Sequence, residues 1–333
     1  MTWSRLVVLL ALVAVVVITG VAVWTVTDRR IPPTLPPDAC PAAAGHRIEV
    51  TDGPGLARAL RAALPGDVVH LAPGIYSGRF ESSVSGTAVA PIEVCGSRQA
   101  RLDGGGIDTG YGFHITVDYW NLRGFSITGS QKGVVLDHAS HAMLRDLAIY
   151  GIGDEGVHFR DCSSDNLLAD SDIHDVGQAD AHSGEGVYVG SAVRNWKTCS
   201  GGKPDRSDRN RVINNRIGPN TTAESIDIKE GTSDTIVSGN TFDGRGMTAA
   251  DSWVDAKGNG ALITDNTGSH APRDGFQSHL IVAGWGHRNR FTANHAQVDG
   301  SGYGFRLQGS DNIVTCDNVV TGAASGMTNV PCS

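Results

Sequence analysis

Two acid-base pairs recur at one spacing in this chain. Asp227-Ile228-Lys229 and Asp255-Ala256-Lys257 each place a carboxylate two residues before an amine. In an extended strand, residues i and i+2 point the same way about 6.7 Å apart, and paired strands lie about 4.8 Å apart. If the two segments stack, Asp227, Lys229, Asp255 and Lys257 form a compact square, flanked by Tyr188, Gln277 and His279. Two lysines in register are expected to lower each other's pKa, so that one is neutral at working pH and acts as a general base. Tyr188, His279 or Lys257 could then protonate a leaving oxygen. The bland alternative is simple pairing of Lys229 with Asp227 or Asp255. A second chemical alternative takes Asp227 and Asp255 as the paired carboxylates of a glycoside hydrolase.

A column of acids precedes the same segments: Glu155, Glu185, Glu224, Asp251 and Asp274. Like charges stacked a strand apart repel, so such a column needs basic partners or a cation. Ca²⁺ suits it, because calcium takes oxygen ligands in loose geometry. Glu185, Glu224 and Asp251 are the expected ligands. His158, Arg160, Gln277 and Arg306 occupy outward positions on neighbouring segments and are expected to contact substrate.

These residues need an element that repeats. Gly133-Val134-Val135-Leu136-Asp137, Gly156-Val157-His158-Phe159-Arg160, Gly186-Val187-Tyr188-Val189-Gly190 and Gly275-Phe276-Gln277-Ser278-His279 share one period-two pattern. The repeat is roughly 21–30 residues, the range of solenoid coils, and no stretch within it reads as a helix. Half a coil away, Asn215, Asn240, Asn266, Asn294 and Asn318 recur at one position, as an asparagine ladder would. The expectation is an all-β chain: a single-stranded, right-handed parallel β-helix. Its first coil needs a cap, and Leu56, Ala59, Leu60 and Ala63 mark one face of a helix over 55–64.

Ahead of the solenoid, residues 6–26 are almost wholly apolar, long enough for a membrane helix. Segment 1–30 is therefore read as a signal-anchor, 31–45 as a proline-rich linker and 46–333 as the β-helix domain. The six cysteines form no metal-binding pattern. In an exported chain they favour disulfides, and sequence proximity suggests Cys40–Cys95, Cys162–Cys199 and Cys316–Cys332. The expected location is outside the cytoplasm, anchored through 6–26, or secreted if that segment is cut. Net charge is −8 and no basic cluster of the kind phosphate backbones require stands out, which argues against a nucleic-acid partner. A monomer is expected.

The run Gly184-Glu185-Gly186-Val187-Tyr188-Val189-Gly190-Ser191, followed by Glu224-Ser225-Ile226-Asp227-Ile228-Lys229 and Lys257-Gly258-Asn259, resembles the β-helical uronate-polysaccharide lyases of family 6. Those are the alginate and dermatan sulfate lyases. More loosely, 48–332 resembles the pectate-lyase-like superfamily. The resemblance implies an acidic polysaccharide substrate cleaved by β-elimination. It also implies Lys229 as the base, five residues after a calcium ligand at Glu224, with a further ligand near Glu185. The family's usual arginine on the next coil is Lys257 here, and its second acid is Thr222. A uronate epimerase and a non-catalytic carbohydrate-binding β-helix remain as alternatives.

Overall fold

Short strands that alternate apolar and polar residues cannot bury one face alone, so each coil must lie on the next. The computed structural model describes residues 40–333, and in them the chain winds as a parallel β-helix. Three sheets of eleven, ten and ten strands run along its length. Successive coils pair in parallel register throughout the sheet that carries the acid-base square. The expected apolar stretch at 6–26 lies outside the described residues.

The inward members of the strands fill the coil interior. Val187, Val189, Ile226, Ile228, Val254 and Ala256 are fully buried. At the C-terminal end the rings of Phe276 and Phe305 stack with centroids 5.0 Å apart. The asparagine ladder forms as expected. Asn215 Nδ2 donates to Asn240 Oδ1 at 3.0 Å, and the same bond repeats from Asn240 to Asn266, Asn266 to Asn294 and Asn294 to Asn318. Each carboxamide also bonds a backbone carbonyl, as Asn240 does at Val212. The ladder thus satisfies main-chain groups inside bends that no strand could pair. A shorter ladder, Asn166 to Asn210, escaped the sequence reading.

The helix at the first coil runs Gly53–Ala62, two residues earlier than its apolar spacing suggested. Asp52 sets the start, because its carboxylate accepts the Gly55 N–H as an N-cap. Leu56, Ala59 and Leu60 are its buried face.

Cys40–Cys95 and Cys316–Cys332 are disulfides, tying down the two ends of the described solenoid. The third expected pair requires correction, because Cys162 carries a free thiol. The turn holding Cys162 is packed by Asp205, part of the long excursion 192–210 that leaves the coil after Ser191. The Asp205 carboxylate accepts the N–H groups of Asp161 and Cys162 at 2.9 and 2.8 Å.

Candidate active site

Register decides which outward side chains meet. Strand pairing aligns His158 with Tyr188, Tyr188 with Asp227, Asp227 with Asp255, and Asp255 with Gln277. The column inferred from sequence spacing is therefore contiguous. Lys229 and Lys257 leave their strands one residue later, their N–H groups bonded to Val189 and Ile228 carbonyls of the preceding coil.

At the centre lies Asp227, 1% exposed. Lys257 Nζ donates to both its oxygens, at 2.9 and 2.8 Å. Lys229 Nζ lies 2.5 Å from Oδ2 of the same carboxylate. Lys257 reaches Asp255 as well, at 2.9 Å, and His279 Nε2 stands 3.2 Å from that aspartate. Ser252 donates to Asp255 Oδ1 at 2.7 Å. The mutual depression expected for the lysine pair does not hold at Lys257. Burial opposes its charge, but Asp227 and Asp255 outweigh burial and hold the ammonium well above the usual lysine range. Asp255 is held far below the carboxylate range against its own burial, by Lys257 and His279.

Lys229 differs in its surroundings. Its ammonium lies over the Tyr188 ring, 4.8 Å from the centroid, and its side chain is 13% exposed. Tyr188 rests edge-on against the His158 ring at 4.5 Å. Burial, then the charges of Asp227 and Glu185, push the Tyr188 phenol well above its usual pKa, so it is a proton carrier and not an anion.

The acids ahead of the strands separate into distinct roles. Glu155 is salt-bridged to Lys132, with His158 Nδ1 at 3.5 Å. Burial opposes ionisation there, but His158 and Lys132 bring it to about 2. Glu185 has no such partner. Its Oε2 is buried without a hydrogen bond, and burial, then the charges of Glu155 and Asp227, lift its pKa to about 8. Glu224 is pushed to about 9 by burial, then by Asp227 and Asp255. Glu185, Glu224 and Asp227 offer oxygens within 4.8 Å of one another. An orphaned carboxylate oxygen among two further carboxylates fits a hard cation. Asp251, the third expected ligand, is not in this group. The pairing of Asp227 with Asp255 puts Ser252 beside Glu224, so Asp251 falls one residue out of register. It faces Arg273 at 3.5 Å instead.

The residues expected to contact substrate are mostly engaged within the protein. His158 is buried, its Nε2 2.9 Å from the Gly190 carbonyl. Arg160 grips Asp137 through two nitrogens, at 2.6 and 2.9 Å, and bonds the Tyr111 hydroxyl. Gln277 is buried and donates to Asp274 at 2.9 Å. Arg306 retains 41% side-chain exposure. Lys132 and Ser252 were missed, since each gains meaning only from a neighbour on another coil.

One side of the site is walled by the 192–210 excursion. Glu230, next to Lys229, accepts the Val193 N–H at 2.7 Å. Gly231 follows at φ +101°, and a β-carbon there would lie 2.9 Å from Asp205 N and 3.1 Å from the Trp196 ring. Glycine thus permits both the turn after Lys229 and the close seat of the excursion.

Comparison with known proteins bears on the fold and the family. Residues 111–271 match the family model described as a right-handed β-helix region. The solved alginate lyase from Paenibacillus sp. str. FPU-7 is 41% identical. The match covers 85% of this chain and 97% of that one, with a TM-score of 0.80. Pectate lyase Pel9A is 16% identical over 87% of this chain and 81% of its own, with a TM-score of 0.57. The family 6 alginate lyase AlyGC is 17% identical over 86% of this chain and 41% of its own, also at 0.57. Those two likenesses concern the fold. Pectate lyase L of Dickeya chrysanthemi is 25% identical over 131 residues, which span 35% of this chain and 31% of that enzyme. The chain is a right-handed parallel β-helix protein of the pectate-lyase-like superfamily. Within it, the chain belongs to the family of polysaccharide lyases that the Paenibacillus enzyme represents.

Proposed function

We propose that this protein cleaves alginate by β-elimination, with Lys229 as the base that removes the C5 proton. The observation that carries the reading is the position of Lys229, beside the Tyr188 ring and ion-paired with Asp227, in a chain 41% identical to an alginate lyase over nearly that enzyme's whole length. Elimination needs three things: a base at C5, a neutralised uronate carboxylate so that the C5 proton is acidic, and an acid at the departing O4.

The groups present divide along those lines. Lys257 keeps its charge and fixes Asp227 and Asp255, so it organises the site electrostatically. Tyr188 holds a phenolic proton next to Lys229 and is the proposed donor to O4. His279 stands at the opposite edge, near Asp255. To take the C5 proton, Lys229 must turn from Asp227 toward the substrate and present a free amine. The uronate carboxylate faces Glu185 and Glu224. These glutamates neutralise it as carboxylic acids, or hold a Ca²⁺ together with Asp227. Such an ion would supply Lewis-acid stabilisation of the developing carbanion.

The hydrolase reading loses ground on geometry. Asp227 and Asp255 are both buried and share the ammonium of Lys257, which leaves neither free to activate water. An exported, anchored protein is the proposed context. The apolar 6–26 segment and the two disulfides support it.

The test is ultraviolet absorbance during incubation with alginate, polygalacturonate and other uronate polymers. A rise on alginate, from the new C4–C5 double bond, is expected. New reducing ends without absorbance would overturn elimination in favour of hydrolysis. Altered uronate composition at unchanged chain length would overturn it in favour of epimerisation.

A further inference from the structure

The 192–210 excursion has a charge unlike the rest of the chain. It carries five cations, Arg194, Lys197, Lys203, Arg206 and Arg209, against two acids, while the whole chain is at −8. All five cations are exposed, and both acids, Asp205 and Asp208, are buried. Arg206 pairs with Asp208 at 2.8 Å and Arg209 with Asp165 at 2.7 Å. Arg194, Lys197 and Lys203 form no ion pair among the described residues and are exposed.

The excursion is seated firmly beside the acid-base square. Directly after Lys229, Glu230 accepts the Val193 N–H at the start of the excursion, and Gly231 packs closely against Asp205 further along it. The Trp196 indole donates to the Ser191 carbonyl at 2.9 Å. At its far side the Arg206 guanidinium lies over the Trp285 ring, 5.6 Å from the centroid. Trp285 belongs to the turn after His279, three coils away from Tyr188. That turn is tied to Lys257's own turn, where Asn259 donates to the Gly284 carbonyl at 2.8 Å and accepts the His287 N–H at 2.9 Å. The Arg206–Trp285 contact therefore spans the coils that carry Lys229 and Lys257. It makes one continuous rim from the Tyr188 coil to the His279 coil.

We propose that this rim is the polyuronate-capture element, in which Arg194, Lys197 and Lys203 attract carboxylates of the uronate residues flanking the one that is cleaved. The inference rests on the alginate-lyase reading and deepens it. A polyanion approaching an acidic protein is repelled at long range, and a local cationic edge reverses that field where it matters. Screening over about 8–10 Å makes the effect sensitive to salt. The cleaved residue itself is handled by the buried groups, so the rim acts on binding and not on the chemical step.

The experiment replaces all three residues in the full chain, Arg194→Gln with Lys197→Gln and Lys203→Gln, and uses alginate as the probe. The expected result at low salt is a KM raised about tenfold, with kcat within twofold of the parent. The parent's KM should climb with added NaCl while the variant's stays nearly flat. Affinity electrophoresis through an alginate gel, with Lys229→Ala as background, reads binding without turnover. Retardation should fall when the three glutamines are added. A parent that cleaves alginate, matched by the variant in KM, salt response and retardation, refutes the rim's role alone. A parent that neither cleaves alginate nor is retarded by it refutes the underlying function, and the rim's role with it.

Discussion

Asp227 lies between two ammonium groups from different coils, Lys229 at 2.5 Å and Lys257 at 2.8 Å from the same oxygen. The two lysines are not equivalent. Lys257 is clamped by a second aspartate, whereas Lys229 has an aromatic ring on its other side. This asymmetry supports the proposal that Lys257 holds its charge while Lys229 transfers the proton.

Lys229→Ala should reduce kcat on alginate by at least about 10³-fold, the order expected when a general base is lost. Circular dichroism and the thermal midpoint should stay close to the parent's. Absorbance at the unsaturated product's band is the assay, and turnover within tenfold of the parent would remove Lys229 from its role.

Lys257→Met should act differently. It leaves Asp227 with one cation and Asp255 with His279 and the Ser252 hydroxyl, so buried negative charge is undercompensated. Breaking such a buried network by removing one partner costs about 3–5 kcal/mol. Urea unfolding should show that loss, and activity should fall with it. A fully stable variant would mean that water reaches these aspartates.

The glutamates predict a pH dependence of stability, to be measured with chelator present. Glu185 and Glu224 hold their protons in the folded state up to about 8 and 9, against about 4.5 when unfolded. The folded state then binds more protons than the unfolded one between those limits. The stability conferred is complete below about pH 4.5 and is lost as pH rises through 8 to 9. Each such group tilts stability by about 1.4 kcal/mol per pH unit. The thermal midpoint should fall from pH 5 to pH 9, and less steeply in Glu185→Gln. If Ca²⁺ occupies the cluster, adding it at pH 9 should restore the midpoint, and Glu224→Gln should abolish the rescue.

Asn240→Ala interrupts the ladder far from the reactive side chains. Five bonds are lost: those donated to Asn266 Oδ1 and to the Val212 and Ser238 carbonyls, and those accepted from the Asn215 N–H and Nδ2. Each buried group left unsatisfied costs about 1–3 kcal/mol, so a loss of about 3 kcal/mol in denaturant unfolding is expected. kcat below the new midpoint should be unchanged.

The solenoid was legible because its determinants are local and repeated. Gly156-Val157-His158-Phe159-Arg160 and its relatives alternate inward and outward at period two, and the spacing of Asn215, Asn240, Asn266, Asn294 and Asn318 fixes where each coil bends. From that pattern the alignment of Tyr188, Asp227 and Asp255 follows, since register in a half-buried strand is set by which face is apolar. Other features were not legible, because they depend on distances between coils. Asp251 reads as one more member of an acidic column, yet a single residue of extra chain before Val254 puts Ser252 in its place. The two lysines read as mutually repelling, but Asp227 stands between them and reverses the sign at Lys257. Cys162 and Cys199 read as neighbours in sequence, whereas the excursion turns Asp205 toward Cys162. The sequence by itself determined the coil, its register and the residue types of the site. Only the tertiary structure decided which charges offset one another, because burial and Coulomb energy depend on three-dimensional separation that a repeat pattern does not encode.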